Sequence, residues 1–301
     1  MSTPPPVFIL ASPHSKVSLI SAMLGQHPGV YALPEINLFA VGRLVEMFDF
    51  LSPGQTHGLI RAVAQLYCGE QTLETVEAAR RWIFRRLQWP TGEVHRELSR
   101  KVAPLQLIDP SSMHCAPHRR IALQRILDTH PDAHFLHLVR HPRAQGEAWL
   151  RDPMALGQLF AIGAVDAGAR QRMPDPQIDW YRRQAAIMQF LSGISPDRRL
   201  RMRAEDVLGD PRRHLRVVTD WLRLDWTEEI FAAMLHPERG SYSRPGPYGA
   251  EGGSDVSFLA SPHWSPEIQN PENLEGAAPW RPDGKGFMPE VIALAHSFGY
   301  V

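Results

Sequence analysis

The sequence is poor in cysteine and has no excess of charge of either sign. Its 301 residues include two cysteines, Cys68 and Cys115, which no Cys-x-x-Cys or Cys/His spacing links. Their scarcity argues against a disulfide framework and against a structural zinc site. Thirty-two Lys and Arg residues balance thirty-two Asp and Glu residues, so the chain lacks the basic excess by which proteins bind nucleic acid.

Long apolar runs are also missing. No stretch of eighteen apolar residues occurs, and the first ten residues, MSTPPPVFIL, lack the basic region and apolar run of a signal peptide. We therefore expect a cytoplasmic protein with no membrane partner. The chain does have 44% hydrophobic residues, enough for one large core, and we expect a single domain over residues 1–301.

The turn after the first predicted strand contains no glycine. Residues 7–11 form a short apolar run, and apolar residues recur at helical spacing from Val17 onward, which predicts a strand, a turn and a helix. Glycine normally lets the backbone of such a turn approach a phosphate. Residues 12–18 offer other groups instead, three hydroxyls and one cation: Ser12, Ser15, Ser18 and Lys16. At a helix N-terminus these groups can hold a phosphate; alternatively, a serine caps the helix and the lysine is solvated.

Apolar runs and helical periodicities alternate along the rest of the chain. Further strands are predicted at 105–109, 133–139 and 200–203. Helices are predicted at 36–51, 56–67, 73–89, 118–129, 143–151, 178–192, 212–222, 228–235 and 288–298. Strands separated by helices indicate an α/β fold with a parallel sheet flanked by helices on both faces, and the first three of these helices form an insertion. The aperiodic segment 237–286 is rich in aromatic residues, which favours an ordered wrap over a site.

Three polar segments follow predicted strands, and in open α/β sheets ligands bind beyond the carboxyl ends of the strands. The segments are residues 12–18, 109–112 and 140–143. They are the candidate site.

Most of the fourteen histidines are expected to be incidental. His137 alternates with leucines in a predicted strand, whereas His95, His118 and His130 have the polar neighbours typical of a surface. No His-Glu-x-x-His motif and no carboxylate cluster indicates a metal site.

Several spaced motifs resemble those of a known family. In chain order they read VFILASPHSKVSL at 7–19, LIDPSSM at 107–113, HFLHLVRHPRAQGEAWL at 134–150 and GSYSRPGPYGAEGG at 240–253. Over nearly the entire chain, the sequence resembles the bacterial sulfotransferases that use the sulfonate donor PAPS. The resemblance implies a P-loop-like α/β fold and transfer of a sulfonate group to a hydroxyl of a small-molecule or carrier-bound biosynthetic intermediate, with release of PAP and without a metal.

The resemblance also implies roles for individual residues. The donor would be held by seven residues: Ser12, Ser15, Lys16, Ser18, Arg140, Arg244 and Gly246. Glu35 matches the position of the catalytic base, with His14, Lys16 and His114 as further candidates for the catalytic chemistry. The substrate side would include Asp109, Ser111 and His114. For Glu35 the alternative is a carboxylate that stabilises a helix dipole, and for Arg140 it is an ion pair with Glu205.

Five positions depart from the family pattern. His14 stands where the family has a cation, Lys16 where it has glycine, Val17 and Ala148 where it has hydroxyls, and Pro110 where it has lysine. Glu147 is expected close to the donor's 3′-phosphate, which it would repel. A second hypothesis therefore stays open: the fold is kept without PAPS, either for another reaction on an acyl or pantetheine-tethered substrate or as a non-catalytic binding protein. The sequence leaves the oligomeric state open.

Overall fold

The structure is a computed structural model that describes residues 3–116, 119, 121–152, 155–166, 172–266 and 273–301. The side chains of residues 155 and 156 are outside this description, as is His118, the first residue of one predicted helix.

The core of the fold is a five-stranded parallel sheet in the order β2-β3-β1-β4-β7. The strands of the chain are β1 Val7–Leu10, β2 Val30–Ala32, β3 Gln106–Asp109, β4 His134–Val139, β5 Val165–Asp166, β6 Met173–Pro174 and β7 Arg199–Arg203. β5 and β6 form a separate antiparallel pair. The predicted α/β class and the parallel sheet are confirmed.

Helices cover both faces of the sheet. The helices are α1 Val17–Leu24, α2 Glu46–Phe50, α3 Pro53–Cys68, α4 Leu73–Phe84, α5 Thr91–Val102, α6 Ile121–Thr129, α7 Pro142–Arg151, α8 Ala155–Ala161, α9 Pro176–Ser192, α10 Ala204–Gly209, α11 Pro211–Trp221, α12 Glu228–Met234, α13 Val256–Ala260 and α14 Pro289–Ser297. Along β1, Val7 and Ile9 pack with α1, α10, α11 and α12, whereas Phe8 and Leu10 pack with α6 and α9. Because successive side chains of a strand point to opposite faces, the continuous apolar run of β1 is buried on both sides.

The helical insertion lies between β2 and β3 and has its own apolar core. The single helix predicted at 36–51 is wrong: the segment contains a 3-10 turn at Leu38–Ala40 and the short helix α2. Asn37 breaks the helix because its φ of 54° is left-handed, a conformation in which its side-chain amide donates to the carbonyl of Gln55 over 3.0 Å. The helix α5 was missed, since Pro90 and Gly92 indicated a break; Pro90 immediately precedes the helix, where a proline is tolerated.

The C-terminal segment 237–286 is held on the body of the protein by three arginines. Arg61 of α3 donates to the carbonyls of Arg244 (2.7 Å) and Gly252 (2.9 Å), and Arg143 of α7 donates to three carbonyls between residues 273 and 277. Arg281 pairs with Asp166, Asp175 and Asp283. The amide of Glu35 donates to the carbonyl of Gly253, and the amide of Asp255 donates to Ser18 Oγ, which places residues 253–255 beyond the carboxyl ends of β1 and β2. Within the described ranges, no helix is long and apolar enough to cross a membrane.

Candidate active site

The turn after β1, residues 12–18, is called the donor loop below. Two of its residues adopt the left-handed conformation that glycine normally supplies: φ is 59° at His14 and 61° at Lys16. Non-glycine residues reach this region at a cost in free energy, and such strain is concentrated at functional sites. The loop therefore has the backbone course of a glycine turn although it contains no glycine.

The donor loop is held in place by side chains from neighbouring elements. Arg140, which follows β4, donates to the carbonyl of His14 over 2.6 Å, and Gln145 of α7 donates to the carbonyl of Pro13 over 3.0 Å. Gln184 of α9 donates to Ser12 Oγ over 3.3 Å. Glu205, the alternative partner proposed for Arg140, instead accepts hydrogen bonds from the His141 amide and the Tyr300 hydroxyl. The structure thus brings together Arg140 and the loop.

Two polar atoms at the donor loop have no hydrogen-bond partner among the described residues. They are the hydroxyl of Ser15, which is 1% exposed, and the side-chain carbonyl oxygen of Gln145. Leaving such groups unpaired in the interior costs free energy. An anion that accepts from the Ser15 hydroxyl, next to Lys16 and Arg140, would remove part of that cost, so these residues fit an anionic ligand.

Asp255, from the C-terminal segment, lies against the donor loop. Its carboxylate is 3.5 Å from His14 Nδ1, and its backbone amide donates to Ser18 Oγ over 2.9 Å. Burial favours the neutral acid, but hydrogen bonds from His14 and Ser257 hold the pKa of Asp255 well below its usual range. The rings of His14 and Trp149 pack in a T-shaped arrangement. Sequence reasoning missed Asp255 because no local pattern connects it to a loop more than two hundred residues earlier.

Glu35 lies beyond the end of β2, next to the turn that follows β3. Its Oε2 accepts from Ser112, over 2.6 Å from the hydroxyl and 3.4 Å from the amide. Its backbone amide donates to the carbonyl of Gly253 over 2.7 Å. Burial raises the pKa of Glu35, the two hydrogen bonds from Ser112 partly offset this, and the nearby carboxylates of Asp255 and Asp109 raise it further. Glu35 is thus a carboxylate whose proton affinity is increased by its surroundings.

Asp109 fixes the turn that carries Ser112. Its Oδ1 accepts hydrogen bonds from the backbone amide of Ser111 over 2.9 Å and from the Ser111 hydroxyl. The same hydroxyl accepts a hydrogen bond from the backbone amide of Asn37 over 3.0 Å. Asp109, Ser111 and His114, predicted to contact substrate, are all at most 1% exposed. In this conformation they are buried. Asp109 and Ser111 hold the turn from which Ser112 contacts Glu35. We call Glu35, Asp109, Ser111 and Ser112 the Glu35 shelf.

Histidines that the sequence indicated as surface residues form part of this support. His95 is fully buried, with Nε2 3.5 Å from Asp109 Oδ2 and Nδ1 2.8 Å from His130 Nε2. Burial lowers the pKa of His130 to about 3 and also lowers the pKa of His114. Burial alone would raise the pKa of Asp109, but the adjacent His114 and His95 lower it. The surface prediction for His95 is wrong because α5, which carries it, was not recognised as a helix packed on the sheet.

The other predicted positions are more loosely connected to the loop. The Arg244 side chain is exposed, and its backbone carbonyl is held by Arg61. A side chain at Gly246 would overlap the carbonyl oxygen of Ala250, which explains the glycine by backbone packing. Glu147 lies 3.7 Å from Arg151 in an i,i+4 pair on α7. Within the described residues, no group of three or more His, Cys, Asp or Glu side chains is placed to hold a metal ion.

Comparison with known proteins identifies the family of this chain. A family model described as the sulfotransferase family matches residues 5–228. The chain belongs to the sulfotransferase family. No curated protein sequence matches it.

Two of the solved structures that share the fold match this chain over its full length. The sulfotransferase domain from the curacin biosynthetic pathway is 22% identical, with a TM-score of 0.77 over 100% of this chain and 99% of that domain. The sulfotransferase domain from the olefin synthase of Synechococcus PCC 7002 is 26% identical, with a TM-score of 0.70 over 100% of this chain and 97% of that domain.

Proposed function

We propose that this protein transfers a sulfonate group from PAPS to a hydroxyl of a small-molecule or carrier-bound biosynthetic intermediate. The observation that carries the proposal is the Glu35 shelf: in a sulfotransferase fold, a carboxylate with a raised pKa and a loop that fits an anion are both hydrogen-bonded to residues 253–255. The two similar domains come from a biosynthetic pathway and an olefin synthase, which supports a biosynthetic intermediate as the acceptor.

Glu35 acts as the general base. Ser112 holds Oε2, and we assign the uptake of the acceptor's proton to Oε1. As the hydroxyl oxygen bonds to sulfur, the bond from sulfur to the phosphate oxygen of the donor breaks, and its electron pair leaves with PAP. A raised pKa increases the driving force for proton transfer near neutral pH, and general bases of this kind contribute about 10²- to 10⁴-fold to rate.

The donor loop and the C-terminal segment are assigned to donor binding. PAPS, when bound, supplies the activated sulfonate group. Ser12, Ser15, Ser18 and Lys16, with Arg140, Arg244 and Gly246, would hold its phosphates. Lys16 supplies positive charge next to the leaving phosphate, the electrostatic contribution that group transfer of this type needs most, and Arg140 supplies it to the 3′-phosphate. We assign His14 to holding Asp255 rather than to proton transfer, because its Nδ1 faces that carboxylate.

A second candidate function rests on Asp255. A carboxylate against the donor loop repels an anionic donor, which favours a protein that has kept the fold without using PAPS. Such a protein would act on an acyl or pantetheine-tethered substrate through Glu35, or bind a partner without turnover.

Calorimetric titration with PAP, followed by an assay of PAP release from PAPS with a panel of alcohols, separates the two candidates. In the titration, we expect PAP to bind at least tenfold more weakly than to a family member with an intact loop, a penalty of about 1.4 kcal/mol. In the assay, we expect PAP to be formed from PAPS when an acceptor is present. Arg140→Met should weaken PAP binding further. No PAP binding at millimolar concentration would contradict sulfonate transfer and leave the second candidate.

A further inference from the structure

A cavity of about 160 Å³ adjoins both halves of the candidate site. It lies between α1, the end of β2 and the C-terminal segment. Its lining includes Ser18 of the donor loop, Leu33 two residues before Glu35, Pro110 in the turn after β3, and Ser254 next to Asp255. We call it the Tyr31 cavity, since Tyr31 is also in its wall. A group bound there would be in contact with residues that flank both Glu35 and the donor loop.

The Tyr31 cavity has hydrogen-bonding capacity that the protein leaves unused. The hydroxyl of Ser21, on α1, is 2% exposed and has no hydrogen-bond partner among the described residues. The hydroxyls of Tyr31 and Tyr242 lie 2.8 Å apart. Because one of them donates to the other, one of the two protons remains to be donated elsewhere. By contrast, Ser243 is already occupied, since its hydroxyl donates to the carbonyl of Pro237.

The size of the cavity restricts what it can hold. A cavity of about 150 Å³ is sufficient for one benzene molecule, so this one can enclose a single six-membered ring, and substituents on that ring would extend toward its open side. Its walls combine apolar surface from Val30, Ala32 and Phe258 with the hydroxyls of Ser21 and the two tyrosines. An apolar ring would leave these hydroxyls unpaired, whereas a ring that carries its own hydroxyls would pair them.

Arg239 supplies a positive charge to the same cavity. It lies in the lining, and its side chain is exposed, which places the guanidinium at the solvent side. A guanidinium pairs with a carboxylate by two parallel hydrogen bonds. An acidic substituent on the ring would therefore be directed outward toward Arg239.

We propose that the Tyr31 cavity binds the acceptor, and that the acceptor carries a hydroxylated six-membered ring with a carboxylate, as in a hexuronic acid. The assignment of this ligand as the acceptor rests on the proposed sulfonate transfer; its binding to the cavity does not. The ring hydroxyls pair with Ser21 and with the Tyr31–Tyr242 pair, and the carboxylate pairs with Arg239.

Saturation-transfer NMR on the full chain without donor tests binding, with three probes: glucuronate, glucose and cyclohexanecarboxylate. We expect glucuronate to bind most tightly, because it alone has both the hydroxyls and the carboxylate. Ser21→Ala should weaken glucuronate at least fivefold, and Arg239→Gln should remove its advantage over glucose. The matched controls are Ser99→Ala, a buried serine of α5 outside this cavity, and Arg213→Gln, an exposed arginine of α11; both should leave binding unchanged.

Tyr31→Phe serves as a second hydroxyl-removing variant should Ser21→Ala alter the thermal unfolding midpoint. Equal glucuronate binding in Ser21→Ala, Tyr31→Phe and the unaltered chain would overturn the inference, as would tighter binding of cyclohexanecarboxylate. Ser21-dependent binding of glucuronate without any sulfonate transfer would support the cavity assignment and contradict the proposed function. Sulfonate transfer to an apolar alcohol, unchanged in Ser21→Ala, would support the function and overturn the inference.

Discussion

The donor loop and the Glu35 shelf lie at the same end of one sheet but differ in backbone conformation and in the groups that face them. In the shelf, Glu35 and Asp109 each accept hydrogen bonds from the turn that contains Ser111 and Ser112. In the donor loop, two residues are left-handed and the buried Ser15 hydroxyl has no partner among the described residues. Unpaired buried atoms occur on both sides, since Asp109 Oδ2 also has no hydrogen-bond partner among the described residues. The comparison teaches that Glu35 is held by the turn after β3, whereas the donor loop combines a strained backbone with an unpaired hydroxyl donor.

The nearest ionisable neighbours sharpen this difference. Asp109 faces His95 and His114, whose ring nitrogens lie 3.5 and 3.8 Å from its Oδ2. At the donor loop the corresponding neighbour is Asp255, a carboxylate where an anion is expected to bind. Changes in the shelf should therefore affect the chemical step, and changes at Asp255 should affect donor affinity.

The largest effect is expected from Glu35→Gln. Because the amide cannot take up the acceptor's proton, kcat should fall by about a hundredfold or more, with the fold and PAP affinity kept. The measurement is PAP release under saturating donor, with circular dichroism and calorimetry on the same samples. Glu290→Gln, at an exposed carboxylate of α14, should be neutral. Unchanged turnover in Glu35→Gln would remove Glu35 from the mechanism.

The next effect is expected from Gly58→Ala, on α3 beneath the shelf. A Cβ at Gly58 would lie 2.6 Å from the carbonyl carbon of Glu35 and closer still to the carbonyl oxygen. These are backbone atoms, which cannot move away by a rotamer change as a side chain can. The variant should be destabilised by about 1–3 kcal/mol and lose activity through displacement of Glu35. Gly54→Ala, on the same helix with open space around it, is the control in denaturant unfolding and activity assays. Equal behaviour of the two variants would show that α3 does not position Glu35.

A smaller effect, of opposite sign, is expected from Asp255→Asn. Removal of the carboxylate next to His14 relieves its repulsion of an anionic donor, so PAP should bind about tenfold more tightly, equal to about 1.4 kcal/mol. Calorimetry at two salt concentrations checks this, since screening should reduce the gain at high salt. Asp49→Asn, at an exposed position of α2, is the matched control. A loss of affinity instead would mean that Asp255 holds the loop in its binding conformation.

The smallest effect is a shift in pH dependence. Hydrogen bonds from Ser112 lower the pKa of Glu35, so Ser112→Ala should raise it. A base works only when ionised, and the acid limb of the kcat profile should therefore move to higher pH. Asp255→Asn removes a negative charge that raises the same pKa and should move that limb to lower pH. Shifts in the same direction for both variants would contradict this account of Glu35.

Local pattern was sufficient where an element depends mainly on its own residues. The continuous apolar runs of β1 and β4 and the helical periodicity after residue 17 predicted their elements to within a few residues. The same reasoning failed at 36–51, where the left-handed Asn37 interrupts the helix, and at α5, where a proline that precedes a helix resembled a break. Because α5 was not predicted, His95 was expected at the surface, although it is buried against Asp109.

The sequence by itself determined the α/β class and the polar segments at the carboxyl ends of the strands, because strand and helix patterns repeat over short distances. The family followed from the resemblance of its spaced motifs, not from these patterns. Only the tertiary structure decided which groups meet. Asp255 contacts His14, Gly58 lies beneath Glu35, and Tyr242 contacts Tyr31 in the wall of the Tyr31 cavity. Such contacts join residues far apart in the chain through the packing of the C-terminal segment and α3 onto the sheet, and no periodicity within either segment encodes the partner.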